Sequence, residues 1–393
     1  PPGVPMWVYS YRNGPSTCTL DPLHARALVL KAGEQTIAIV TMDLGRTPRP
    51  AVLDRVREQV KSAGITHAIF TASHTHGGPV METDEAPHVQ NVAAKLTECI
   101  LEAAKSLKPV KMRFSAVEFD VSHNRRLIAA DGKCEMLWRN AQKGLTYPVD
   151  REATVIKLED MDGKTLASVV HFACHPVVLG GDNREYTADW VGEMCRIVKE
   201  KTGGECLFLQ GGCGDINPYL DKTPRDQGGV ESMHAVGKEC ADAVLSALRY
   251  IDQIGPTAQV ASSLLYAEKM VEIGTRWDFT DPKQQEVFRG VYGGIFDRYL
   301  KDLRPDLAVP LAVLVINGQL ALAFVPGELF TRHQLDFKQN APVWPDSLPI
   351  VGGGGYGGGT RHRRPALLVG YSNDFHLYFP TVADAAAGGY GGV

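Results

Sequence analysis

The sequence predicts an α/β protein: a mixed β-sheet with helices packed on it and a site gathered at the carboxyl ends of its strands. Three observations carry this expectation. A strand pattern at 36–42, a helical pattern at 50–63 and a further apolar run at 68–72 succeed one another as in a βαβ unit. Apolar runs at 68–72, 167–172 and 206–210 stop abruptly in histidines or glycine-rich turns. No internal repeat or linker divides the 393 residues, so one domain over 1–393 is expected.

Each element has its own signal. Residues 1–23 are rich in Pro, Gly, Ser and Tyr and read as an irregular lead-in. Runs at 25–30 and 36–42 flank Gly33 as a β-hairpin, with Asp43 at its end. Val52, Leu53, Val56 and Val60 recur at helical spacing, and Gly64 stops that helix. A second helix is expected over 89–107, a strand over 112–121, and a hairpin of 154–158 with 167–172 around Asp162-Gly163. A helix over 190–201 then leads to a buried strand at 206–210, which breaks into the turn 211–218. Further on, a helix is expected at 231–250, a strand at 259–266 and a helix at 284–300. Strands at 311–316 and 320–325 join through Asn317-Gly318, the strongest short hairpin signal in the chain. A helix is expected to open at Glu328, where a carboxylate would also suit the helix N-terminus. Seven glycines around Tyr356 in 352–359 read as a loop, and Arg361-His362-Arg363-Arg364 as a solvated basic patch.

Composition narrows the partners. Hydrophobic residues at 44% and charged residues at 22% describe a globular chain rather than a disordered one. A formal charge of −4 gives no basic field, which excludes nucleic acid as the expected partner. No apolar run of membrane-spanning length occurs. The eight cysteines form no CxxC pair and are too sparse for a disulfide scaffold.

The chemistry gathers at 73–79, Ser-His-Thr-His-Gly-Gly-Pro. In an extended backbone residues i and i+2 share a face, so His74 and His76 would present two imidazoles to one point, as a metal requires. On spacing alone such a pair is more often two unrelated polar residues at a strand end. His175 in Phe-Ala-Cys-His-Pro reads as a core histidine by the same standard, and Tyr378, among Phe375, Leu377 and Phe379, as a core tyrosine.

Five ordered motifs together resemble the neutral/alkaline ceramidase family: SHTHGGP at 73–79, FACHP at 172–176, GDINP at 214–218, FVPGE at 324–328 and NDFHLYFPT at 373–381. The resemblance implies a catalytic zinc held by His74, His175, Glu328 and Tyr378. It implies His76 beside the metal for proton transfer or oxyanion contact, and Arg125 of HNRR and Tyr390, twelve residues after Tyr378, as further site residues. The reaction implied is hydrolysis of an N-acyl amide by metal-activated water, in sphingolipid metabolism if the substrate is ceramide-like. Asp43 and Asp189 are expected to orient the ligand histidines, and His123 and His376 to lie at the surface or behind the ligands.

Two departures qualify what is implied. Where the family carries a serine, this chain has Asn217; an amide cannot act as an acyl nucleophile but can donate a hydrogen bond to the substrate. The chain also ends at Val393, so the family's C-terminal β-sandwich is expected to be absent. The alternatives are a small non-lipid amide or ester as substrate, or a binding protein that keeps the metal site. The family resemblance leans towards a secreted or periplasmic setting.

Overall fold

The computed structural model describes residues 3–7, 14–254, 261–292, 306–341 and 365–392. The glycine-rich loop at 352–359, the basic run at 361–364 and the end of the helix expected over 284–300 lie outside the described residues.

The chain builds three layers. The middle layer begins with β1 (Ala25–Ala32) and β2 (Gln35–Met42), an antiparallel hairpin turned at Gly33, whose φ is +58°. Helix α1 (Pro50–Val60) carries the chain to β3 (His67–Ala72), which pairs parallel to β2 as the βαβ pattern requires. Pro50 starts that helix, where its missing N–H costs nothing. Val52, Leu53, Val56 and Val60 are all buried, each worth about 1.5–3 kcal/mol against exposure. Helix α2 (Pro87–Lys105) covers the same sheet and leads to β4 (Lys111–Glu118) and the short β5 (Ser122–Asn124).

The second sheet of the middle layer follows. Strands β6 (Glu152–Glu159) and β7 (Thr165–Phe172) form a hairpin, and α3 (Asp189–Thr202) crosses to β8 (Glu205–Gln210), parallel to β7. The order is β8-β7-β6-β4. A short β9 (Ile216–Pro218) pairs with β5, and α4 (Gly229–Gln253) packs on α3.

The third layer is a sheet of β10 (Leu264–Gly274), β11 (Asp306–Ile316), β12 (Leu320–Phe324) and β14 (Ala366–Val369), in that order, with α5 (Pro282–Tyr292) between β10 and β11 in the chain. Between β12 and β14 come β13 (Glu328–Leu329) and helix α6 (Thr331–Asn340); β15 (Tyr378–Phe379) then pairs parallel to β13. Strand alternation splits the interior into two cores. Val40, Phe70, Val170 and Phe208 face the helices, while Ile39, Ile69, Val169 and Leu207 face Leu314, Leu322 and Leu367 of the third sheet. Strands buried on both faces explain why their sequences read as continuous apolar runs.

Two expected elements are displaced. The strand expected at 259–266 is β10 at Leu264–Gly274, and its exposed Leu265 and Met270 show why burial patterning missed it: backbone pairing with β11 makes it a strand. The helix expected to open at Glu328 begins at Thr331, and Glu328 lies on β13 instead. The N–H of Thr331 donates to Asp215 Oδ1 at 2.7 Å, so Asp215 supplies the carboxylate expected of Glu328 at this helix end. None of the eight cysteines forms a disulfide, and no helix among the described residues is long and apolar enough to cross a membrane.

Candidate metal centre

Three apolar strands deliver the site from their carboxyl ends: β3 stops at Ala72 just before His74, β7 at Phe172 before His175, and β12 at Phe324 before Glu328. The backbone at His74 is not extended. Its φ is +67°, in the left-handed region that a residue with a Cβ enters only when its surroundings hold it there. The two histidines therefore converge through a turn and not through strand alternation. Gly77 completes that turn against the chain before α3, where an added Cβ would lie 2.4 Å from Thr187 O.

At the centre, His74 Nε2 and His175 Nε2 each lie 3.4 Å from one oxygen, Oε2 of Glu328. His76 Nε2 stands 3.3 Å from His74 Nε2, and nitrogens of all three histidines fall within 4.8 Å of one another. Both inner rings are fixed from behind. His74 Nδ1 donates to Gly45 O at 2.6 Å and His175 Nδ1 donates to Ile216 O at 3.0 Å, which turns each Nε2 to the centre. Backbone carbonyls thus take the orienting role expected of Asp43 and Asp189. Asp43 instead holds Arg26 at 3.1 Å and the His24 N–H at 2.9 Å, and Asp189 accepts from the Val178, Leu179 and Trp190 N–H groups.

Electrostatics keep this set ready for a cation. Burial, with the charge of Arg125 nearby, pushes His175 down to about 3, so its ring is neutral at pH 7. Burial alone would raise Glu328, but the His74 and His175 rings against it hold its carboxyl well below the usual carboxylate range. Imidazoles beside an ionised carboxylate are a donor set that zinc takes, so these residues fit such an ion.

A second cluster adjoins the first. Arg125 donates to Gly214 O at 2.6 Å, Asn217 Oδ1 at 3.2 Å and the Tyr378 hydroxyl at 3.1 Å. Its guanidinium lies within 5.2–5.7 Å of the ring centres of Tyr390, Trp138 and Tyr378. The parallel pairing of β13 with β15 sets Tyr378 directly beside Glu328, with the Glu328 N–H donating to Leu377 O at 2.7 Å. The eight residues singled out from the sequence therefore fall in two touching groups: His74, His76, His175 and Glu328, then Arg125, Asn217, Tyr378 and Tyr390. His123, expected near the surface or behind the ligands, is buried and donates to Leu137 O; His376 pairs with Asp374 at 3.2 Å.

Sequence reading missed several supports. Gln210 ends β8 and binds both histidine loops, donating to Ser73 O at 2.8 Å and Cys174 O at 2.9 Å and accepting from the Cys174 N–H at 3.2 Å. The only hint was a polar residue closing an apolar strand. Tyr371 stacks on His74 with centroids 4.2 Å apart, and Phe375 and Trp7 pack around the same ring.

No family profile matches the chain. Against solved structures, the crystal structure of neutral ceramidase from Pseudomonas aeruginosa matches with a TM-score of 0.73, over 100% of this chain and 68% of that one, at 18% identity. The fold is that of neutral ceramidase. A ceramidase complexed with C2 matches equally well, at TM-score 0.73 and 17% identity over 69% of its chain. In sequence, neutral ceramidases B and A of Dictyostelium discoideum are each 23% identical over 175 and 176 residues. Those alignments take in 39% of this chain and 24% of either relative's length.

Proposed function

We propose that this protein is a zinc-dependent hydrolase of N-acyl amides, with His74, His175, Glu328 and Tyr378 holding the metal. The reading rests chiefly on one observation: two imidazoles, each locked by its Nδ1 on a backbone carbonyl, turn their Nε2 atoms to one oxygen of an ionised, buried carboxylate. The likeness to neutral ceramidases supports an acyl amide as the bond cleaved. Zinc bound there would supply a Lewis acid that polarises the acyl carbonyl and makes water a nucleophile at neutral pH.

The chain's own groups do the rest. His76, half-buried beside His74, takes a proton from the attacking water and passes it to the amine as it leaves. Arg125, with Tyr378 and Tyr390 against it, faces the negative charge that develops on the carbonyl oxygen. Asn217, whose Oδ1 is engaged by Arg125, orients the substrate amide and offers no nucleophile, so no acyl-enzyme forms on it. A ceramide-like lipid is the substrate class proposed.

The test is a zinc determination on the purified protein together with hydrolysis of ceramide, a short N-acyl amide and an acyl ester. Zinc near one equivalent, activity lost to a chelator and restored by zinc, and loss of both in His74→Ala and His175→Ala are expected. Hydrolysis that survives those substitutions would overturn the mechanism. A zinc-loaded protein inert to all three substrates would make it a binding protein, and cleavage of the small amide alone would move the substrate away from lipid.

A further inference from the structure

The side chain of Tyr371 touches two proposed ligands at once. It is fully buried, and its ring lies nearly flat on His74, at 4.2 Å and 26°. Its hydroxyl donates to Glu328 Oε2 at 3.3 Å, the oxygen that faces both His74 and His175. Behind it, Cys213 Sγ lies 3.0 Å from the same hydroxyl. Because the hydroxyl hydrogen goes to Glu328, the thiol must be the donor of that second contact, which orders a chain from Cys213 S–H through Tyr371 O–H to the carboxylate.

The backbone of Tyr371 makes the same connection. Its N–H donates to Gly327 O at 3.2 Å, next to Glu328, and its carbonyl accepts from the Ala72 N–H at 3.2 Å, at the end of the strand before His74. Its φ of +53° is in the left-handed region, which an aromatic residue rarely adopts. Surrounding packing therefore holds the ring and hydroxyl in this place against the local backbone preference.

We propose that Tyr371 is a positioning residue of the metal centre, fixing the Glu328 carboxylate with its hydroxyl and the His74 imidazole with its ring, and that Cys213 backs it. The proposal rests on the zinc reading of the site. A carboxylate oxygen that already accepts a hydrogen bond keeps one rotamer, and a ring stacked on an imidazole limits its rotation. Both leave less to be ordered when a metal binds.

The experiment measures zinc affinity of the apo-protein by chelator competition and records the visible spectrum of the cobalt-substituted site. Tyr371→Phe keeps the stack and removes the hydroxyl. It is expected to weaken zinc by about 10- to 100-fold and shift the cobalt spectrum, with unchanged far-ultraviolet circular dichroism. Tyr371→Leu, which also loses the stack, should weaken zinc further, and Cys213→Ala should weaken it less than Tyr371→Phe does. If Tyr371→Phe and Cys213→Ala bind zinc as the wild type does while His175→Ala does not, Tyr371 is only a packed core residue and the metal reading stands. If the wild type itself binds no zinc, the metal reading falls and this proposal with it.

Discussion

Replacing Gln210 by Leu removes the side chain that ties the two histidine-bearing loops together while nearly conserving its volume. Three bonds go at once: those to Ser73 O and Cys174 O, and that from the Cys174 N–H. Each neutral bond contributes about 1 kcal/mol net, and a buried N–H left without an acceptor adds about 1–3 kcal/mol, so the loss should be about 4–6 kcal/mol. Urea unfolding followed by tryptophan fluorescence measures it, with the midpoint falling and the slope unchanged. Gln210→Glu sharpens the test. Its carboxylate would face two carbonyl oxygens, so this variant should be less stable than Gln210→Leu at pH 7.5 and regain ground as pH falls and the acid becomes a donor. A loss under 1 kcal/mol for Gln210→Leu, or no pH response in Gln210→Glu, would refute the bridging role.

Three further outcomes are expected. Burial pushes His171, whose ring donates to Leu368 O at 2.8 Å, down to about 4 from a usual 6.5, so unfolding takes up a proton between these values. The stability His171 contributes is therefore complete above pH 6.5 and falls by about 3 kcal/mol as pH drops to 4; urea midpoints across that window should show a flatter decline in His171→Gln. Asp215 caps α6 and accepts from Asn124 at 2.7 Å, so Asp215→Ala should lose about 2–4 kcal/mol in equilibrium unfolding, and Asp215→Asn clearly less. Arg125→Met should lower kcat for amide hydrolysis by about 100- to 1000-fold while zinc content stays near that of the wild type, checked by steady-state rates beside metal analysis.

The legible part of this protein is the part governed by short-range periodicity. Alternation and helical spacing placed β1 to β3, α1 to α4 and the hairpins within a few residues, because strands buried on both faces must be apolar throughout and helices on one face. The Asn317-Gly318 turn was readable because both residues need positive φ, at +54° and +58°. Where an element is held by a partner strand and not by burial, as the largely exposed β10 is, the local pattern carried little signal.

The site divides in the same way. The spacing of His74 and His76 pointed to a metal, and the motifs that resemble the neutral/alkaline ceramidase family implied His175, Glu328, Arg125, Asn217, Tyr378 and Tyr390 beside them. Only the tertiary structure decided what holds them. Carbonyls carry no side-chain identity, so Gly45 and Ile216 could not be recognised as the groups that orient the rings, and carboxylates at Asp43 and Asp189 were expected in their place. The left-handed turn at His74, the Gln210 bridge and the Tyr371 contact join residues distant in sequence, and such contacts exist only once the three layers have packed.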